Sequence, residues 1–364
     1  EWRFVWEEFV EPMPSDVFRS THKGTIEVPL GWKAHPHPQT PGEFLPGRGY
    51  GTYALDIRLP TGIDTGQLRL STLDVTSAGH WFVYSEDAVK ELGRMTQGVP
   101  GKSLDDTTPV WVNASTDLDA GGKARVMLLM HLSNFHHARG GLLYSPKLGL
   151  SQPISQAASF NFFLNASIFG ILFIIAFYHL VLFLQRREDT PSLFFAFFCG
   201  VMALRQWTTG QISQKLGMGL SVDGFEVLLT LEYMTLPLMM ISGGLFIHAL
   251  VPSLYFKRFV DSFAVGLGGV AVVFTLLANP LVCTENVTIY QVHLLLGMAI
   301  ALIHLAHRAW SGHVLARWVC LAFGVVVVGG VNDVLHSQEV IETAFISPFT
   351  FIAFILMQSG ILSG

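Results

Sequence analysis

The chain has little cysteine, little charge and no lysine inside its long apolar runs, and each shortage removes a class of function. Three cysteines occur in 364 residues: Cys199, Cys283 and Cys320. None lies in residues 1–157, so that part folds without disulfides, as a domain large enough to build its own core can. Charged residues make up 13% of the chain and hydrophobic ones 51%. The formal net charge is −5, of which −3 falls on residues 1–157. Neither part has a basic face, which excludes nucleic acid as a partner. After residue 157 the lysines are Lys215 and Lys257, both in polar joints, so none is placed inside a span to hold retinal. Cys/His sets with structural-zinc spacing are missing, as is any nucleophile–base–acid constellation. No catalytic residue, metal or cofactor is expected.

What the chain does have is a succession of apolar runs. Seven of them, near 160–184, 192–207, 225–250, 259–277, 289–305, 314–334 and 346–362, are separated by short polar joints. A bilayer core about 30 Å thick needs roughly 20 apolar residues of helix, and backbone in lipid must pair within its own segment. The runs therefore predict seven transmembrane helices in residues 158–364. Joints one, three and five carry Arg186, Arg187, Lys257, Arg258, Arg308 and Arg317, while the alternate joints carry Lys215 with Asp223, Glu285, Glu339 and Glu342. The positive-inside rule places the basic joints in the cytoplasm, residues 1–157 in the periplasm and the C-terminus in the cytoplasm, across a bacterial inner membrane. The chain opens at Glu1 on what reads as the middle of a strand, so a removed leader is expected.

In residues 1–157 the hydrophobic period changes to two. Tyr53, Leu55, Ile57 and Leu59 alternate with polar or small residues, as do Leu68 and Leu70. Further strands are predicted at 2–6, 81–84, 110–112 and 124–132, with turn clusters between them and no convincing helix. The expected fold class is an α+β multidomain membrane protein, with an all-β jelly-roll sandwich outside and a seven-helix bundle in the membrane. The order Glu1-Trp2-Arg3-Phe4, Val28-Pro29-Leu30-Gly31-Trp32, Gly49-Tyr50-Gly51-Thr52-Tyr53, then Val75-Thr76-Ser77-Ala78 before 81–84, resembles the galactose-binding-like jelly roll of β-galactosidases and β-glucuronidases. With Ser133-Asn134-Phe135-His136, Gly140-Gly141 and seven spans, the chain resembles the seven-transmembrane receptors with diverse intracellular signalling modules. One departure is Tyr84-Ser85-Glu86-Asp87, where many relatives carry an Asn-Gly hairpin.

The resemblance implies a sensory receptor that detects a periplasmic ligand, with carbohydrate a candidate class, and drives a cytoplasmic output module expected after residue 364. Diguanylate cyclase, histidine kinase and nucleotide cyclase are the modules it implies, with homo-oligomerisation through them. Residues 1–364 are not expected to be an enzyme themselves. Jelly-roll loops favour aromatic platforms ringed by polar groups, so the outer ligand candidates are Trp32 (beside His35 and His37), His80, Trp81, Asn134, His136, His137 and Arg139. Trp2 and Trp32 also read as core residues. Ionisable groups in a span are costly, so Arg205, Glu232, His293, Asn332 and Asp333 are candidates for an outer bundle pocket. His179, His248 and His304 read as helix-contact histidines. A membrane transporter or channel with an outer β-domain is one alternative, disfavoured because charge gathers in the outer half and no internal repeat is visible; an intramembrane enzyme would need paired groups at one depth, which the spans lack. A sensor of a protein partner, with no small-molecule ligand, is the other alternative.

Overall fold

A computed structural model of the chain describes residues 1–22, 24–72, 77–87, 90–210, 212–218, 221–338 and 340–363. Val75 and Thr76 of the quoted motif and Glu339 of the last outer joint lie outside the described residues. Two compact units emerge. The first comprises Glu1–Phe162, Ser213–Leu228 and Pro280–Glu285, and the second comprises Phe163–Ile212, Leu229–Asn279 and Asn286–Gly364.

The first unit is built on strands β1 (Trp2–Trp6), β2 (Thr25–Ile26), β3 (Leu30–Gly31), β4 (Gly49–Arg58), β5 (Leu68–Thr72), β6 (Ala78–Ser85), β7 (Glu91–Gln97), β8 (Ala114–Leu118), β9 (Arg125–Asn134), β10 (Gly141–Leu142) and β11 (Lys147–Leu150). They form a six-stranded sheet in the order β2-β1-β4-β9-β6-β7, a three-stranded sheet β11-β5-β8 and a small pair β10-β3. All recorded pairings are antiparallel. Alternation decides what is buried: Tyr53, Trp81, Val83, Leu128 and Met130 from the large sheet meet Leu68, Leu70 and Leu118 from the small one. The predicted sandwich is thus present, with two corrections. A short helix, α1 (Ser15–Thr21), lies among the strands and packs Phe18 against Ala54, Met127 and Leu129 on the outer face of the large sheet. Residues 110–112 form no strand, because the Val112 carbonyl accepts from Gln97 Nε2 at 2.7 Å and not from a ladder.

The chain leaves the sandwich through a polar staple. Arg69 on β5 makes a paired contact with Asp117 on β8, 2.7 Å at each oxygen, and Ser151 Oγ donates to the same carboxylate at 2.6 Å. Arg69 also bonds Ser155 in the first turns of the next helix. These donors, the guanidinium foremost, hold Asp117 down at about 2.

The helices that follow are α2 (Ser151–Gln185), α3 (Thr190–Thr209), α4 (Ile212–Lys215), α5 (Val222–Leu250), α6 (Leu254–Phe259), a π-helical stretch Val260–Leu267, α7 (Gly268–Leu277), α8 (Pro280–Glu285), α9 (Val287–Trp310), α10 (Val314–Ser337) and α11 (Ser347–Ser363). Five segments are long and apolar enough to cross a membrane: α2, α5, the continuous rod Leu254–Leu277, α9 and α10. Helices α3 and α11, of 20 and 17 residues, complete the seven predicted from the apolar runs. Side-chain caps start several of them: Asp189 accepts from Ser192 N–H ahead of α3, and Ser253 accepts from Phe256 N–H ahead of α6. Within the second unit, small residues mark close approaches, with Gly244 against Ala264, Gly268 against Ile241 and Gly329 against Thr350.

Candidate functional site

The loop after β9 carries Asn134, His136, His137 and Arg139. Asn134, 1% exposed, folds it: Nδ2 donates to the carbonyls of Gly47 and His137, both at 2.7 Å, and Oδ1 accepts the His137 N–H at 3.2 Å. That leaves Asn134 committed to the loop itself. His137 is buried behind it, with Nδ1 accepting the Arg139 N–H at 3.2 Å. Burial pulls this imidazole down from 6.5 to about 4, opposed in part by the Arg139 carbonyl, which also lies 3.2 Å from Nδ1 and would accept from the protonated ring. Between those values the unfolded chain binds more protons than the folded one, so stability is present above pH 6.5 and is lost as pH falls towards 4. The loss amounts to about 3 kcal/mol, from 1.36 kcal/mol per pH unit. His137→Leu is expected to flatten that part of the pH–stability curve, measured by urea unfolding at pH 4.5 and 7.5.

His136 faces the opposite way. Its ring meets Phe225 edge-on at 6.4 Å between centroids, and its Nδ1 lies 3.8 Å from Glu226 Oε1. Phe225, fully buried, also packs on Trp111 at 6.5 Å. One residue along the loop, the Ala138 N–H donates to Thr284 Oγ1 at 2.9 Å, and Arg48 stands 3.8 Å from Glu285. The sandwich loop therefore grips two pieces of the helical half: the first turn of α5 and the short helix α8. All of these contacts lie inside the first unit.

Trp32 has no exposure and sits in the core. Its Nε1 donates to Tyr53 Oη at 2.7 Å, Trp6 meets it edge-on at 5.0 Å, and its N–H donates to the Gly140 carbonyl at 2.9 Å. Burial pushes the Tyr53 phenol above its ordinary range. The Gly140-Gly141 pair is explained here: Gly141 has φ +109°, and a Cβ at either position would press on Trp32. His35, close by, is buried, whereas His37 uses Nδ1 to accept the N–H groups of Gln39 and Thr40, both at 3.2 Å.

His80 and Trp81 are neighbours in sequence but point to opposite faces of β6. Trp81 is 1% exposed and donates to Gln97 Oε1 at 2.9 Å inside the sandwich. His80 lies on the outer face, its pKa lowered by burial, by His131 and by Arg94. That face holds a row that sequence reasoning missed. Arg94 lies over Phe82 at 5.1 Å, Phe9 stacks on His131 at 4.9 Å, and Glu91 pairs with Arg94 and accepts from Tyr84. Strand alternation on β6 could have found Phe82; the strand β7 that supplies Arg94 had no hydrophobic signal.

In the second unit Arg205 Nη1 donates to Thr235 Oγ1 at 3.1 Å, and Thr235 in turn donates to the Glu232 carbonyl. Thr235 and Glu232 share one face of α5, three residues apart, which keeps the Glu232 carboxyl within electrostatic reach of Arg205. Asp333 is engaged elsewhere. Its two oxygens accept the N–H groups of Ile346 at 2.8 Å and Ser347 at 3.2 Å, so it caps the start of α11, while Asn332 Nδ2 donates to Asp333 and to the Ala344 carbonyl. His293 Nε2 bonds the Phe263 carbonyl at 3.1 Å and its ring packs on Phe263 at 4.7 Å. Phe263 belongs to the π-helical stretch, whose wider turn alters the ordinary ladder and suits a carbonyl that serves a side chain. Among the described residues, no group of three or more His, Cys, Asp or Glu could hold a metal.

Comparison with known proteins adds one family. Residues 161–363, more than half of the chain, match the family described as 7TM diverse intracellular signalling. The sequence matches no curated protein. Among solved structures, a Bacteroides fragilis protein assigned as a β-galactosidase matches at 17% identity with a TM-score of 0.25, over 40% of this chain and 21% of that one. The chain thus spans about a fifth of that protein's length, and the similarity is too low to carry an argument.

Proposed function

Because the chain belongs to the 7TM diverse intracellular signalling family, a transmembrane sensory receptor type, we propose that its outer sandwich detects a periplasmic small molecule or partner and passes the event to α5. The observation that carries this reading is the shared unit: Ser213–Leu228 and Pro280–Glu285 are built into the same compact body as the strands. A helix whose first turns belong to the sandwich and whose remainder belongs to the bundle is a direct mechanical link. Phe225 is the fitting that makes it, through Trp111 and His136.

The same observation supports the orientation. The joints bearing Lys215 and Glu285 belong with the sandwich, and the joints rich in arginine and lysine are the alternate ones. By the positive-inside rule the sandwich is periplasmic and the basic joints cytoplasmic, in a bacterial inner membrane. A reporter fused after Arg187 or Arg258 should read as cytoplasmic, and one fused after Lys215 or Glu285 as periplasmic. A periplasmic signal at Arg258, or a cytoplasmic one at Glu285, would overturn this arrangement.

The ligand class we favour is a carbohydrate, on the outer face of β6 and β7. Phe82 and Phe9 supply partly exposed aromatic surface there, and His80, Arg94 and Thr96 supply polar groups around it. The output is a cytoplasmic enzyme module, a diguanylate cyclase, histidine kinase or nucleotide cyclase, that also brings copies of the chain together.

A further inference from the structure

At one end of the second unit α5 finishes at Leu250, α6 begins at Leu254 and α9 runs out to Trp310. Phe256 ties these three together. Its ring is 3% exposed, stacks on His304 at 4.3 Å with an interplanar angle of 6°, and lies 6.4 Å from His248. His304 itself is held by a bond from Nε2 to the Val251 carbonyl at 2.9 Å. Around this ring pair gather the groups that can carry positive charge. His304 is within electrostatic reach of His248, His307 and Arg308, and His248 is within reach of Lys257.

Among the described residues one carboxylate faces the cluster, that of Asp261, and it is already paired with Lys257 Nζ at 2.5 Å. Among the described residues, two nitrogens here, His248 Nδ1 and Arg308 Nε, are buried without a hydrogen-bond partner. Buried polar nitrogens are normally satisfied, and two unpartnered ones among basic side chains, beside a carboxylate that is already paired, form an arrangement that an anion would complete. We propose that His248, His307 and Arg308, with Lys257 beside them, bind a phosphate group, carried by a phospholipid headgroup or present as the free ion. A guanidinium fork matches phosphate oxygens in shape as well as charge. The surrounding side chains suit the lipid source: Leu254, Tyr255 and Trp310 are 79%, 86% and 93% exposed at this same end, and aromatic residues of that kind settle at headgroup level. The inference does not rest on the sensing role, since it uses groups of the bundle alone.

The test uses the full chain in detergent micelles, titrated with dioctanoyl-phosphatidylglycerol, with dioctanoylglycerol and with inorganic phosphate. Binding is read by native mass spectrometry and by the shift in melting temperature. Phosphatidylglycerol should bind and dioctanoylglycerol, which lacks the phosphate, should not. Arg308→Gln should weaken phosphatidylglycerol binding about tenfold or more, as expected for loss of a charge-assisted contact. His248→Gln should weaken it several-fold, by roughly the contribution of one hydrogen bond, and Arg186→Gln should leave it unchanged. Inorganic phosphate that binds with the same sensitivity to Arg308→Gln would identify the free ion as a source; phosphatidylglycerol binding alone would identify the lipid. Equal binding of the two dioctanoyl compounds would overturn the proposal, as would wild-type affinity in both variants. Should Arg308→Gln fail to fold, His248→Gln decides, and an unchanged affinity there overturns it.

Discussion

Phe225→Ala is expected to be among the most damaging single substitutions in the first unit, costing about 3–5 kcal/mol as for other buried phenylalanines cut to alanine. The side chain is fully buried, and the cavity left behind would be walled by Trp111 and His136, neither of which can collapse freely into it. His136 is held by a loop that Asn134 has already closed with three hydrogen bonds. The damage should therefore be local: the β9 loop and the first turn of α5 come apart while the sandwich core persists. Phe225→Leu, which fills much of the volume, should cost markedly less. In the signalling protein, Phe225→Ala should leave basal output in place and remove its response to stimulus. An unchanged response would contradict the role given to this contact.

Trp32→Ala is expected to destabilise the sandwich by a similar amount, about 3–5 kcal/mol. Here the loss spreads, because Trp32 touches Trp6 on β1, Tyr53 on β4 and the Gly140-Gly141 turn. Tyr53 Oη would also lose its donor inside the core, at a cost of about 1–3 kcal/mol that Trp32→Phe would share without the full cavity. Urea unfolding of the two variants separates the terms: alanine should shift the midpoint much further than phenylalanine. A ligand-contacting Trp32 would instead give two variants of wild-type stability with impaired binding.

Much of the architecture is legible in the sequence itself. The apolar runs locate the helices to within a few residues on most ends, because lipid demands long uninterrupted composition and that demand is local in sequence. Alternation located β1, β4, β5, β6 and β9 for a related reason. It missed β7, whose inward residues include Gly93 and Gln97, the short strands β8 and β11, and the two-residue strands, which exist through their partners more than through their own sequence. The polar groups of the bundle were recognisable as costly, but their partners were not. Which way Asp333 turns depends on the rotation of α10 and on where the next helix begins, and both follow from packing. The same holds for His293, whose partner carbonyl is supplied by a π-helical stretch with no sequence signature. The grip of the β9 loop on α5 joins residues about 90 positions apart, and no periodicity reports it.

The central claim is that the first turns of α5 and the α8 segment belong energetically to the sandwich and not to the bundle. Hydrogen–deuterium exchange of the full chain, wild type against Trp32→Ala in moderate urea, tests it most directly. Peptides covering 213–228 and 280–285 should lose protection together with the strands of the weakened sandwich, while 229–250 of the same helix keeps the protection of the bundle. Protection that stays uniform from 222 to 250 when the sandwich opens would show that α5 is a bundle helix throughout, and the proposed link would not exist.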